Sequence, residues 1–202
     1  MKNLNIIYED NHLLVVSKPS GLLVQPTELE NDSVVTRLRE RYKFVEPIHR
    51  IDKPVSGVVV LAKSSKALSR LMAAVREKRV KKHYLALVAK KPPTASARLV
   101  HKLVHGHHRA EINEKGKESS LHYTLLGRRG PYYLLRIDLE TGRYHQIRSQ
   151  LAHIGSPIVG DKKYGSQEPF KDKAIALHHE EMQIPHPISQ EMMSFKDPWM
   201  YT

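Results

Sequence analysis

An aspartate set among cations is the first candidate for chemistry in this chain of 202 residues. Asp52 lies in the segment His49–Gly57, which reads His-Arg-Ile-Asp-Lys-Pro-Val-Ser-Gly. Arg50 and Lys53 flank Asp52, and nearby cations stabilise a negative charge. A proline and a glycine indicate irregular backbone before an apolar run, so we expect a loop anchored to the core, where catalytic groups are common. A structural ion pair beside a turn fits the same residues.

A second basic segment is Thr141–Arg148, which reads Thr-Gly-Arg-Tyr-His-Gln-Ile-Arg. Thr141 is a typical helix cap, and the residues after it predict a helix over 145–154. Arg143 and Arg148 are five residues apart, so they cannot share one stripe of an ideal helix. We expect different partners for them, one a phosphate and one a carboxylate. A capped and solvated basic helix is the alternative.

The segment Gly155–Gly165 combines three glycines with a proline. This composition predicts a loop of defined shape. We interpret it as a tight structural turn rather than a site of direct chemistry.

Three histidines, His105, His107 and His108, resemble metal ligands by number alone. Their segment, His105–Lys117, is polar and is predicted to be an exposed loop or hairpin. No cysteine or aspartate lies near them in the sequence, so we expect no metal site. Surface contact with a binding partner, or no function at all, is the interpretation we favour for this loop.

The composition points to a polyanionic partner. Lys and Arg number 33 against 21 Asp and Glu, which gives a formal net charge of +12 and a pI of about 9.8. Nucleic acid is the first candidate, although charge that serves only solubility is the alternative. The chain has no cysteine, which excludes disulfides and thiolate chemistry and fits the cytoplasm. No apolar run is long enough to span a membrane, and no signal core is present near the N-terminus.

Apolar patterning predicts more strands than helices, without regular alternation. Helices are expected to begin at Asp32 or Ser33, at Ser64 or Ser65, and at His145. The predicted strands are Leu4–Tyr8, Leu13–Ser17, Val58–Ala62, Tyr84–Ala89 and Tyr132–Leu139. This order indicates an α+β fold with a mixed, mainly antiparallel central sheet.

These segments resemble the RluA-type RNA pseudouridine synthases. His49–Gly57 and the apolar run after it are similar to the catalytic signature of that family, and Thr141–Gly165 is similar to a second signature. Three further segments follow the family order: Val16–Val24, Lys82–Val88, and the pairs Leu177-His178 and His186-Pro187. Ile51, Val55 and Leu121 depart from the usual Leu, Thr and Thr, and Val55 removes a hydroxyl from the catalytic loop.

The resemblance implies a role for each matching residue. Asp52 corresponds to the catalytic aspartate, Tyr84 to a tyrosine that stacks on the target base, and Arg148 to an arginine that pairs with the aspartate. Arg50 corresponds to an arginine that enters the RNA stack as the base leaves. His49 and Arg143 are expected to take part in substrate binding.

The resemblance also implies the fold and the reaction. The fold is a sheet with flanking helices and a central RNA-binding cleft, and the reaction isomerises uridine in structured RNA, either rRNA or tRNA. This reaction needs no cofactor and no metal. We expect a single catalytic domain over 1–202 without an N-terminal S4 domain, and a monomer. A non-catalytic RNA-binding or RNA-folding protein on the same fold is the alternative function.

Overall fold

The computed structural model describes residues 4–171 and 173–201. By its internal contacts the chain divides into two compact units. The first comprises Met1–Lys81 and His179–Pro198, and the second comprises Lys82–His178 and Trp199–Thr202. That all 202 residues act as one catalytic domain stays a prediction.

Strands predominate, as the apolar patterning predicts. The strands are β1 (Asn5–Glu9), β2 (Leu13–Lys18), β3 (Glu46–Pro47), β4 (Ser56–Ala62), β5 (Lys81–Val88), β6 (Ser96–His105), β7 (Ala110–Ile112), β8 (Lys117–Arg129), β9 (Tyr132–Leu139), β10 (Leu177–Pro185) and β11 (Met192–Lys196). The helices are α1 (Val34–Arg39), α2 (Ser65–Arg76) and α3 (Gln146–His153), with a short 3-10 helix over Lys162–Tyr164.

The first unit is built around the buried strand β4. Val58–Ala62 are fully buried, as expected for a continuous apolar run. Strand β2 pairs with β4 in antiparallel register, β1 pairs with β2, and β11 pairs with β10. Helix α2 packs Ala67 and Leu71 into the same core as β4.

Serine side chains start both helices of the first unit. Ser33 and Thr36 form a reciprocal capping box at α1. The Ser64 hydroxyl accepts from the Ala67 N–H at α2 (3.2 Å). Each cap satisfies a backbone donor that has no partner within the helix, which explains why both helices begin where the sequence predicts.

The second unit contains an antiparallel sheet in the strand order β5-β9-β8-β6-β7. Helix α3 packs against β6 and β7. The predicted loop over 105–117 is a hairpin whose returning strand, β7, pairs Ala110 with His105. Helix α3 lies within the predicted range 145–154 and is followed by Gly155, which adopts φ +80°.

The α+β class with mainly antiparallel strands is therefore confirmed. Over the residues described, no helix combines the length and the apolar character that a membrane span requires.

Candidate active site

The loop that carries Asp52 joins β3 to β4 in the first unit. Ile51 and Val55 are 7% and 2% exposed, and they anchor the backbone on both sides of the half-buried Asp52. The Val55 N–H donates to the Asp52 carbonyl oxygen (3.0 Å) and closes a turn. This turn forms with valine in place of the family's usual threonine, so the missing hydroxyl does not prevent it.

A second segment, at the end of β2, holds the same loop from the other side. Lys18 is fully buried, and its ammonium donates to the carbonyl oxygens of Leu22 (2.7 Å), Pro19 (3.0 Å) and Lys53 (3.2 Å). The Gly21 N–H donates to the same Lys53 oxygen (2.8 Å). The residue next to Asp52 is thus fixed by two donors.

Lys18 also bears on the electrostatics of Asp52. Burial lowers the pKa of Lys18 to about 7, and attraction to the Asp52 carboxylate opposes that decrease. Three carbonyl acceptors match the three donors of an ammonium. No sequence pattern gave Lys18 a role, although Lys18 lies in the N-terminal motif, directly before Pro19.

His49 and Gly57 fix the two ends of the loop. The His49 Nε2 accepts from the Val60 N–H of β4 (3.1 Å). Gly57 has φ +121°, and a Cβ at this position would lie 2.3 Å from the carbonyl oxygen of His179. Glycine is therefore required for the close approach of two backbones. The expected role of His49 in substrate binding stays a prediction, since the structure gives its Nε2 a backbone partner.

Arg50 and Tyr84 lie in contrasting environments. Arg50 is exposed beside Asp52. Tyr84 is 6% exposed and lies on β5 of the second unit, where it pairs with Ile137 of β9. Their expected roles toward the target base stay predictions.

The helix cap predicted at Thr141 is wrong. The N-cap of α3 is His145, which adopts a left-handed conformation and makes no side-chain capping bond. The Thr141 hydroxyl instead donates to Gln146 Oε1 (2.7 Å) and accepts from the Ser120 N–H (2.9 Å). It links Gln146, the first residue of α3, to Ser120 of β8.

Arg148 forms a buried, bidentate ion pair with Asp161. Its Nε donates to Oδ2 (2.7 Å) and its Nη2 to Oδ1 (2.9 Å), and the two side chains are 5% and 2% exposed. The ring of Tyr164 covers the guanidinium, with 5.1 Å from Cζ to the ring centroid. Asp161 and Tyr164 thus hold Arg148 from an edge and from a face.

The two arginines of the segment have different partners, as their spacing predicts. Arg148 takes a carboxylate, whereas Arg143 is exposed and its Nε donates weakly to the Glu118 carbonyl oxygen (3.4 Å). The expected partner of Arg148 was Asp52, which belongs to the other unit, and that pairing stays a prediction. Asp161 was missed because its loop was interpreted as a structural turn.

No group of three or more His, Asp or Glu side chains in the described parts of the chain is arranged to hold a metal ion. The rings of His107 and His108 lie against each other, with 4.6 Å between centroids. His105 stacks on Tyr144 instead.

Comparison with known proteins identifies the class. A family model described as RNA pseudouridylate synthase matches residues 12–153. The chain is 36% identical to the dual-specificity RNA pseudouridine synthase RluA of Haemophilus ducreyi, over 94% of this chain and 90% of that protein. It is 35% identical to the ribosomal large subunit pseudouridine synthase C of Buchnera aphidicola from Schizaphis graminum, over 98% of this chain and 68% of that protein.

Solved structures agree. Human RNA pseudouridylate synthase domain containing 1 matches with a TM-score of 0.84 and 25% identity, over 100% of this chain and 85% of that one. The human domain containing 4 shows the same fold, with a TM-score of 0.80 and 19% identity, over 96% of this chain and 88% of that one. The chain belongs to the RNA pseudouridylate synthase family. It is an RNA pseudouridine synthase, and hence an isomerase.

Proposed function

We propose that this enzyme converts uridine in rRNA or tRNA to pseudouridine with Asp52 as its catalytic residue. Its relatives are named for the ribosomal large subunit and for dual specificity toward RNA, which supports this range of substrates. The absence of cysteine fits work in the cytoplasm, and we expect a monomer.

The chemistry needs one carboxylate that acts on the sugar. The C1′–N1 bond breaks, the uracil turns, and C5 joins C1′; the C5–H bond then breaks and N1 binds a proton, so the atoms balance. Asp52 would act either as a nucleophile at C1′ or as a base at C2′. No electron and no external group enters, so the reaction requires neither a cofactor nor a metal.

The fixed position of the Asp52 loop is the observation that carries the proposal. Apolar side chains anchor the backbone on both sides of Asp52, and Lys18 and Gly21 both donate to the carbonyl of the next residue. Because this backbone is fixed before substrate binds, less chain entropy is lost when Asp52 is placed against the sugar, which favours either route. When it is protonated, the buried Lys18 side chain attracts the Asp52 carboxylate, and this attraction opposes the decrease in the pKa of Lys18 that burial causes.

The other site residues would act on the RNA. We propose that Tyr84 stacks on the uracil while it is detached, and that Arg148 pairs with Asp52. Extruding a base costs a few kcal/mol. Arg50, which is exposed beside Asp52, would offset part of this cost by filling the vacated position in the RNA stack.

Arg143 and His49 complete the proposed set. Arg143 is exposed and carries a fixed charge suited to a phosphate. His49 would act from the β4 side of the loop, where its Nε2 already accepts a backbone hydrogen bond.

Asp52→Asn and Asp52→Ala test the proposal. RNA from a strain that lacks the gene is incubated with each protein, and pseudouridine is mapped along rRNA and tRNA. We expect wild type to modify discrete uridines and both variants to form no detectable product while keeping the wild-type unfolding midpoint. Asp32→Asn, which changes an exposed acid paired with Arg37 in the same unit, is the matched control and should stay active. Turnover by either Asp52 variant would overturn the assignment.

A further inference from the structure

Three aromatic rings of the second unit form a continuous stack. The rings of His105 and Tyr144 lie 4.2 Å apart at 30°, and those of Tyr144 and His145 lie 3.8 Å apart at 18°. We call His105, Tyr144 and His145 the ring ladder. Its rings are close to parallel, unlike the edge-to-face pairs common in cores.

The backbone is distorted where the ladder forms. Neighbouring side chains of an extended chain point to opposite sides, so Tyr144 and His145 cannot stack on a regular strand. His145 has φ +49°, a left-handed conformation that residues with a Cβ adopt at a cost. Retained strain of this kind is common at binding sites.

The ladder runs from the interior to the surface. His145 is 8% exposed, Tyr144 is 41% exposed, and His105 is exposed on the β6–β7 hairpin. The outer rings therefore present aromatic surface to solvent, which has no evident value for packing.

The inner end of the ladder is fixed by hydrogen bonds. His145 Nδ1 lies 3.0 Å from the Tyr164 hydroxyl. That hydroxyl accepts from the Ala110 N–H (2.8 Å), and Ala110 pairs with His105 across the hairpin. The hairpin and the ladder thus share one anchor, so the outer rings are held in place before any ligand arrives.

Exposed cations lie on the segments that carry the ladder. They are Lys102, Arg109, Lys115, Lys117 and Arg143. Glu114 pairs with Lys102 and Glu111 with Arg109. Planar rings among cations are the combination that binds single-stranded nucleic acid, because bases stack on rings and phosphates attract cations.

We propose that the ring ladder binds an unpaired nucleobase of the RNA, distinct from the uridine that is modified, by stacking. This rests on the proposed function only in taking RNA as the substrate. The contact uses the face of the base, which every nucleobase has, so it tolerates different sequences. Purines should bind better than pyrimidines because their ring systems are larger. It would place a nucleotide of the substrate at a fixed point on the hairpin.

Binding of two oligonucleotides of equal length tests the proposal without turnover. One is oligoadenylate, and the other is an abasic ribose-phosphate chain that keeps the phosphates and lacks the bases. We expect wild type to prefer oligoadenylate, and the double variant His105→Ala/Tyr144→Ala to bind it about 5- to 150-fold more weakly. Affinity for the abasic chain, and the dependence of binding on salt, should not change.

Single variants separate stacking from charge and from folding. His105→Phe keeps an aromatic ring without a titratable nitrogen and should bind oligoadenylate like wild type, whereas His105→Ala should bind it more weakly. His108→Ala changes an exposed histidine of the same hairpin outside the ladder and is the matched control. Each change at His105 or His108 affects an exposed side chain, so these variants report on binding even if the double variant unfolds.

Two results would overturn the proposal. One is unchanged binding of oligoadenylate by His105→Ala and the double variant, and the other is an equal loss for both oligonucleotides. Failure of the proposed function is a separate outcome, because it appears as wild-type protein that forms no pseudouridine, whether or not binding depends on the ladder.

Discussion

Arg148 and Asp161 share two parallel hydrogen bonds inside the second unit, and both side chains are almost entirely buried. Asp161 binds the side of the guanidinium that carries Nε and Nη2. The end of the guanidinium that carries Nη1 therefore points away from Asp161. Asp161 thus fixes the orientation of Arg148, whose expected role at the active site stays a prediction.

Removing Asp161 should destabilise the protein strongly. Asp161→Leu leaves a buried guanidinium without this carboxylate, and we expect the free energy of unfolding to fall by about 3–5 kcal/mol. The double variant Arg148→Met/Asp161→Leu should be more stable than Asp161→Leu, because no uncompensated charge remains. Urea denaturation measures both.

An exposed pair in the same unit is the control for this experiment. Arg98 also contacts Glu140 through two nitrogens, but the two side chains are 56% and 38% exposed. Glu140→Leu should therefore cost about 1 kcal/mol or less. Equal losses for Glu140→Leu and Asp161→Leu would show that burial of the Arg148 pair has no energetic importance.

Local sequence signals predicted much of the fold. The run Val58–Ala62 predicts a buried strand because each residue is apolar, and Ser64 predicts a helix start because its hydroxyl can reach a nearby N–H. Both signals act over a few residues. The same kind of signal made Asp52 a candidate, but a structural ion pair fitted those residues as well, and only the family resemblance assigned Asp52 the catalytic role, which stays a prediction.

Contacts distant in sequence were not predictable. The Tyr164 hydroxyl meets Ala110, 54 residues away, and that contact depends on the packing of a hairpin on a loop. His145 gives no local signal for a left-handed conformation, because glycine is the residue expected there. The cap predicted at Thr141 is wrong for a related reason. Its hydroxyl bonds to Ser120 of β8, which is remote in sequence.

Lys18 should make stability depend on pH in the alkaline range. Burial lowers its pKa to about 7 in the folded protein, against the usual 10.5 of a lysine side chain. Between these values the unfolded chain binds a proton that the folded protein does not, so stability should rise as the pH increases. Below pH 7 the amine is protonated in both states, and this contribution is constant.

Two variants isolate that effect. Lys18→Met has no titrating group and Lys18→Arg stays charged, so neither should gain stability between neutral and alkaline pH as wild type does. Urea midpoints are measured across this pH range for each protein, and the slope of midpoint against pH is compared between wild type and variant. The contributions of the other lysines are the same in both proteins and cancel in the difference of slopes. A slope in Lys18→Met equal to that of wild type would contradict the assignment.

Gly57→Ala should be among the most damaging small substitutions in the first unit. The new Cβ would lie 2.3 Å from the His179 carbonyl oxygen and 2.6 Å from its nitrogen, and φ is +121°. Steric overlap and backbone strain add, so we expect a loss of about 3 kcal/mol or more in the free energy of unfolding.

Gly130→Ala separates the two costs. Gly130 also has a positive φ, +59°, but no atom beyond Gly130 and its two chain neighbours lies within 4 Å of the position that a Cβ would take there. It should lose only the conformational part, about 1–2 kcal/mol. Similar urea midpoints for the two variants would show that β4 and β10 can separate to accept a methyl group.

Asp10 should make stability depend on pH in the acid range. Burial raises the pKa of its carboxyl, but hydrogen bonds from the N–H groups of His12 and Leu13 (both 2.7 Å), and from Tyr8 and His186, outweigh burial and hold the pKa below the usual 3.8. A group whose pKa is lowered by folding contributes its full stabilisation at pH values above its pKa in the unfolded chain. That contribution is lost as the pH falls through its pKa in the folded protein.

Asp10→Asn should therefore be less stable than wild type at neutral pH, and the difference should narrow below pH 3.8. Urea midpoints measured from neutral to acid pH test this. Asp32→Asn, whose parent carboxylate is exposed and bonded to Arg37, should differ little from wild type over the same range, since exposed pairs contribute little. A constant gap between Asp10→Asn and wild type would mean that the hydrogen bonds to Asp10 do not depend on its charge.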